Sequence, residues 1–189
     1  ASDVYKRQIK PIVKFIDPGL NYDHYGNIKQ STFRRSGIFQ RGIDRHKGDD
    51  LVTGVLDKTD IEFSEIHAEY KTETRDSKGN RQTHWHTIFK GLFFSADFHK
   101  EFKGKTYILT DVAEKSFGFL GKKLQEWNRS HGKLVKLEDP NFEKAFAVYS
   151  NDQVEARYLL SPSMMERIVN FKNSSKCNVQ FSFVNSRVF

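Results

Sequence analysis

Two histidines, His84 and His86, stand either side of a tryptophan in a stretch rich in Thr, Phe and Ile. On a strand, residues at i and i+2 point to the same face, so this pair can offer two imidazole nitrogens to one metal ion. Zinc takes three or four ligands, and Glu73, Glu69 and His67 are the residues placed to add to the pair. With a turn at Lys78-Gly79, Glu73 falls opposite His84 and Lys71 opposite His86; a looser turn shifts this by one residue. Glu65, His67 and Glu69 share one strand face, a pattern suited to general acid–base chemistry. A catalytic site would also need a nucleophile or oxyanion donors, and no G-x-S-x-G, P-loop or dinucleotide fingerprint occurs. Outward polar alternation on a solvated strand explains both clusters more simply. The expectation is therefore no catalytic residue, no metal and no cofactor, with a metal-dependent enzyme using His84, His86, Glu69 and His67 as the alternative.

The second group is cationic. Residues 1–50 hold ten Lys and Arg against six Asp and Glu, while residues 51–128 balance twelve against twelve. Arg34, Arg35, Lys10 and Lys14 are the candidates for contact with an anionic surface. Trp85, Phe89 and Phe93 could stack on bases, but no ribonucleoprotein signature surrounds them, so nucleic acid is not expected.

The elements that must position these residues centre on 61–98, read as one long β-hairpin. Both arms are rich in aromatic and β-branched residues, and Gly79 between them can take the positive φ of a tight turn. Ile66, Ala68 and Tyr70 share a face, whereas Ile61 and Phe63 have the opposite phase, so a bulge or twist is expected near Ser64-Glu65. Ile88, Leu92, Phe94, Ala96 and Phe98 alternate with Phe89, Gly91 and Phe93, which predicts a strand covered on both faces. Before the hairpin, 9–15 is a short helix or strand, 30–39 a short helix, 44–50 a polar loop and 50–56 a strand. After it, 105–110 is a strand, and Ala113, Phe117, Leu120, Leu124 and Trp127 recur at helical spacing, which predicts a helix over 111–128 covering the sheet. Asp139-Pro140, Asp152 with Glu155, and Ser161-Pro162 are helix starts. Strands are expected at 134–137, 145–149 and 178–184. The fold class is α+β: a twisted antiparallel sheet built around the 61–98 hairpin, with several helices packed on it.

The 189 residues, 37% of them hydrophobic and 17 of them Phe, suffice for a single domain with a real core. Cys177 is the only cysteine, so no intramolecular disulfide is possible. No apolar run reaches the length of a membrane span. Residues 1–8 read as a non-native leader, leaving 9–189 as the domain.

Three stretches carry a resemblance: Glu62-Phe-Ser-Glu-Ile-His-Ala-Glu69, Thr87-Ile-Phe-Lys-Gly-Leu-Phe-Phe94 and Val148-Tyr-Ser-Asn-Asp-Gln-Val-Glu-Ala-Arg-Tyr-Leu-Leu160. Together, and in this order, they resemble the bacterial domain-of-unknown-function family numbered 3137, uncharacterised and sometimes mislabelled galanin. The resemblance spans about 9–189. It implies hydrophobic membrane segments N-terminal to this region and further chain beyond it, so that both ends here would be fragment boundaries. It supplies no activity and no catalytic residue. The expectation is a non-enzymatic binding or scaffold domain of a membrane-associated protein, on the cytoplasmic side and tethered to the inner membrane, meeting a protein partner or an anionic membrane surface.

Overall fold

Short helices and antiparallel strands share the chain, which makes it an α+β protein. A computed structural model describes residues 2–76, 79–110 and 130–189, with side chains from Gln8 onward. The helix expected at 111–128, with Phe117, Leu120 and Leu124, lies outside the described residues. Two units emerge: Ala1–Arg35 with Phe39–Phe98 and Phe189, and Ser36–Ile38 with His99–Val188.

The first unit contains α1 (Ser2–Ile16), β1 (Leu20–Asp23), α2 (Gln30–Arg35), β2 (Arg45–Leu56), β3 (Thr59–Arg75) and β4 (Arg81–Asp97). Its strands lie in the order β1-β2-β3-β4, each antiparallel to its neighbour. Strand β3 pairs with β4 from Ile61↔Ala96 to Arg75↔Arg81, and with β2 from Leu56↔Thr59 to Arg45↔Glu69. Two bulges punctuate the pairing. One lies in β2, where Asp49 and Val52 face Glu65 and Phe63, and Asp50 takes a φ of 56°. The other lies in β4, where Ala68 and Glu69 face Phe89 and Thr87 and leave Ile88 unpaired. The phase change of β3 near Ser64-Glu65 thus has its bulge on the partner strand.

Two expectations need correction here. Residues 45–49 are strand, not loop: they pair with β3 from Arg45↔Glu69 to Asp49↔Glu65, and Arg45 Nη1 donates to Glu69 at 3.1 Å. Among the described residues, strand β4 is not covered on both faces. Phe93 is buried, but Leu92 and Phe94 on the other face are 64% and 40% exposed. Their apolar character predicts cover from composition alone, and composition cannot tell an exposed patch from a core.

On the covered face, Phe33 of α2 is the centre of an aromatic cluster. Its ring lies 4.8 Å from Phe93, 5.1 Å from Phe39 and 5.7 Å from both Phe89 and His46. Just upstream of α2, the Ile28 N–H donates to Ser64 Oγ at 3.0 Å, so the connection satisfies a buried hydroxyl while it delivers Ile28 to the core.

The second unit contains β5 (Lys105–Thr110), β6 (Lys133–Val135), α3 (Pro140–Ala145), β7 (Phe146–Ser150), α4 (Gln153–Leu159), α5 (Pro162–Ser175), β8 (Phe181–Val184) and β9 (Arg187–Val188). Strand β5 is central, antiparallel to β7 on one side and β8 on the other; β6 flanks β7 and β9 flanks β8. Ile108, Phe142, Phe146, Val148, Tyr149 and Phe183 fill its core. The three helix starts are capped by Asp139, Asp152 and Ser161, with Pro140 and Pro162 in the first turns of α3 and α5. Asp152 and Glu155 do not form the expected reciprocal box. The Asp152 N–H donates to Ser150 Oγ instead, and Glu155 accepts from the Lys103 and Gly104 N–H groups at 2.9 and 2.7 Å. Gly104 has no room for a side chain, since a Cβ there would lie 2.8 Å from both Asp152 Cβ and Glu155 Oε2.

Because Phe33 is almost fully buried among four rings, Phe33→Ala should lower stability by about 3–5 kcal/mol. Chemical denaturation checks this; a midpoint equal to that of the unmodified protein would show that the cluster does not hold the unit together.

Candidate functional site

Successive side chains along β3 point to opposite faces of the sheet, and this sorts the histidines. Tyr70 stands across from His86 and Thr72 across from His84, one residue away from the Lys71 and Glu73 pairing expected of a tight turn. The shift puts both histidines on the Tyr70 face. The His86 ring stacks on Tyr70 with centroids 4.8 Å apart, and its Nε2 lies 2.9 Å from Thr72 Oγ1. Arg41 covers Tyr70, with its guanidinium carbon 4.0 Å from the ring centroid. His84 Nε2 lies 3.4 Å from Thr74 Oγ1.

His67 and Glu69 are on the other face. There Glu69 accepts from Arg45 Nη1 at 3.1 Å, and His67 Nε2 lies 3.6 Å from Glu69 Oε1 and 3.1 Å from Thr87 Oγ1. Arg45 also sits over the Trp85 ring, 3.6 Å from its centroid. A guanidinium held between a carboxylate and an indole is well satisfied, and it braces β2 against both strands of its neighbouring pair. Glu65 is exposed and stands across from Leu92 and Asp49. The four residues of the metal alternative are therefore not brought together. Among the described residues, no three His, Cys, Asp or Glu side chains assemble as a metal ion would need.

One cluster was not legible in the sequence. Tyr22 on β1 donates a very short hydrogen bond to Asp50 Oδ1, and His24 Nδ1 lies 2.7 Å from the same oxygen and 3.2 Å from Tyr22 Oη. Burial, then the hydrogen bond and charge of Asp50, push the Tyr22 phenol up to about 12. Tyr22 thus stays protonated and serves as a donor that anchors Asp50 in its bulge conformation. Tyr22 and His24 share a strand face by their spacing, but Asp50 joins them only through β1–β2 pairing across 28 residues.

Of the four cations singled out, Lys10 and Lys14 are on α1 and Arg34 and Arg35 on α2; all are exposed. Lys14 Nζ donates to Pro18 O at 2.9 Å and Asn21 Oδ1 at 3.1 Å. Lys10, Arg34 and Arg35 enter no ion pair among the described residues. In the second unit, a pocket of about 160 Å³ is lined by Leu134, Val135, Phe142, Phe146 and Val148, with Lys136 and Glu143. That is smaller than the roughly 300–1,000 Å³ of a typical small-molecule site. Glu143 is also committed, accepting the Leu137 N–H at 2.8 Å. Cys177 is exposed.

Residues 87–189, more than half of the chain, match the model of a family described as proteins of unknown function, DUF3137. The chain belongs to that family. The matched region runs from Thr87 in β4 to Phe189, and so includes the 148–160 stretch but not 62–69. No curated protein and no solved structure matches the chain. The 148–160 stretch has a structural role in this fold. Ser150 Oγ accepts the Asp152 N–H and donates to its carbonyl, Asn151 Oδ1 accepts the Lys105 N–H, and Glu155 clamps 103–104.

One half-buried histidine and one buried histidine make stability pH-dependent. Burial lowers the pKa of His46, whose ring packs edge-on against Phe33. Burial also lowers that of His131, partly offset by Nε2–H donation to Ile38 O at 3.1 Å. The folded protein binds these protons more weakly than the unfolded chain, so their contribution is complete above the unfolded value of about 6.5 and is lost as pH falls through the folded values. Unfolding midpoints should therefore decline as pH is lowered from neutrality toward about 5, above the carboxylate range, and His131→Gln should flatten the slope. A midpoint constant over that window would contradict the burial argument.

Proposed function

We propose that this chain is a non-enzymatic binding or scaffold domain of a bacterial membrane-associated protein, facing the cytoplasm and tethered to the inner membrane in the full-length protein. The observation that carries the reading is a contrast in how polar groups are used. His67, His84, His86 and Glu69, the groups suited to chemistry, are engaged by Thr, Tyr and Arg neighbours on two separate sheet faces. Lys10, Arg34 and Arg35 stand exposed without ion-pair partners among the described residues. An anionic leaflet attracts a nearby Lys or Arg by about 1 kcal/mol each, and the attraction fades within a Debye length. No described helix is long and apolar enough to cross a membrane.

Sedimentation with vesicles tests this. Measurable binding to phosphatidylserine-rich vesicles is expected at low salt, little at physiological salt, and none to neutral vesicles. Arg34→Glu with Arg35→Glu should weaken it. Equal binding to neutral and anionic vesicles, or none at low salt, would leave a protein partner as the better reading. Near-stoichiometric zinc lost on changing His84 and His86 to Ala would instead restore the metal-enzyme alternative.

A further inference from the structure

The helix α1 presents three apolar residues outward. Ile12, Phe15 and Ile16 are 55%, 90% and 69% exposed, and their i, i+3, i+4 spacing places them on one face. The same helix is held on its unit by other groups: Val13 is buried, and Lys14 reaches Pro18 O and Asn21 Oδ1 beside β1. Single exposed apolar residues are ordinary, but a contiguous stripe with an almost fully exposed phenylalanine marks an interaction surface.

Resting on the membrane reading above, we infer that α1 is an interfacial helix that inserts Ile12, Phe15 and Ile16 into the headgroup–acyl boundary of an anionic bilayer. Charge selects this occupant over a second copy or another protein. Residues 8–16 contain no acidic side chain, and Lys10 and Lys14 lie on the side of the helix opposite the stripe. The first fifty residues carry four more cations than anions. An apolar face backed by a lysine-bearing face is the pattern of helices lying in the interface plane with their apolar side about 5–10 Å deep. Another exposed apolar pair, Leu92 and Phe94, lacks this character, with Glu65 directly across from Leu92. The stripe also lies outside residues 1–8, so it does not depend on whether that leader is native.

The test places an environment-sensitive fluorophore at position 15, using Phe15→Cys with Cys177→Ser in the full chain; Cys177 is the only native cysteine and is exposed. The same dye on Cys177 of the otherwise unchanged chain is the control. With phosphatidylserine-rich vesicles at low salt, emission from position 15 should rise, shift to the blue and be quenched by acyl-chain-brominated lipid, while the control stays unchanged. In the unlabelled protein, Phe15→Ser with Ile16→Ser should weaken vesicle binding by about tenfold or more and leave the unfolding midpoint in place. Sedimentation without an emission change would overturn the insertion and leave the electrostatic reading standing. No binding in either assay would overturn both. An emission change that follows protein concentration in the absence of vesicles would assign the stripe to a second copy instead.

Discussion

Strand β3 is hydrogen-bonded along both edges, to β2 from Thr59 to Glu69 and to β4 from Ile61 to Arg75. Arg45, His67, Glu69, His84 and His86 take their positions from that double pairing. The bulge opposite Phe63–Glu65 turns Asp50 toward Tyr22 and His24, and the bulge at Ile88 sets which histidine meets which β3 residue. Arg45 ties the three strands together through Glu69 and Trp85. A one-residue slip would exchange faces and bring His84 and His86 to the side of His67 and Glu69. The register thus separates the groups that a metal centre would need together.

The second unit relies on a more local device. Ser150, Asn151, Asp152 and Glu155 each satisfy backbone N–H groups at the junction of β5, β7 and α4, and Gly104 allows the close approach. Acidic and amide side chains clustered this way could be taken for an active site. Here the oxygens are spent on main-chain donors, which is how buried or half-buried polar groups avoid the cost of lost hydration.

Signals that act within a few residues were readable from sequence. Asp139, Asp152 and Ser161 are caps because side chain and donor lie two or three residues apart. The strand at 105–110 and the apolar side of α5, with Met165 and Ile168 buried, belong to the same class. Features set by lateral pairing were not readable. The four-residue β1 has too few positions to show a period, and the charged half of β2 looks like a loop until β3 stands beside it. The exposure of Leu92 and Phe94 and the outward stripe of α1 depend on what covers them, which local composition does not encode. The cations at Lys10, Lys14, Arg34 and Arg35 were legible as charges, whereas the exposure of the apolar stripe on the opposite side of α1 from two of them needed the fold.

The central claim is that this domain meets an anionic surface through α1 and its basic neighbours rather than through the histidine-bearing strands. Backbone hydrogen exchange of the intact chain, with and without phosphatidylserine-rich vesicles at low salt, tests it most directly. The account predicts slowed exchange over 9–16 on vesicle addition, with 67–73 and 83–87 unchanged. Protection confined to the histidine-bearing strands, or to 92–94, with 9–16 unaffected, would contradict it.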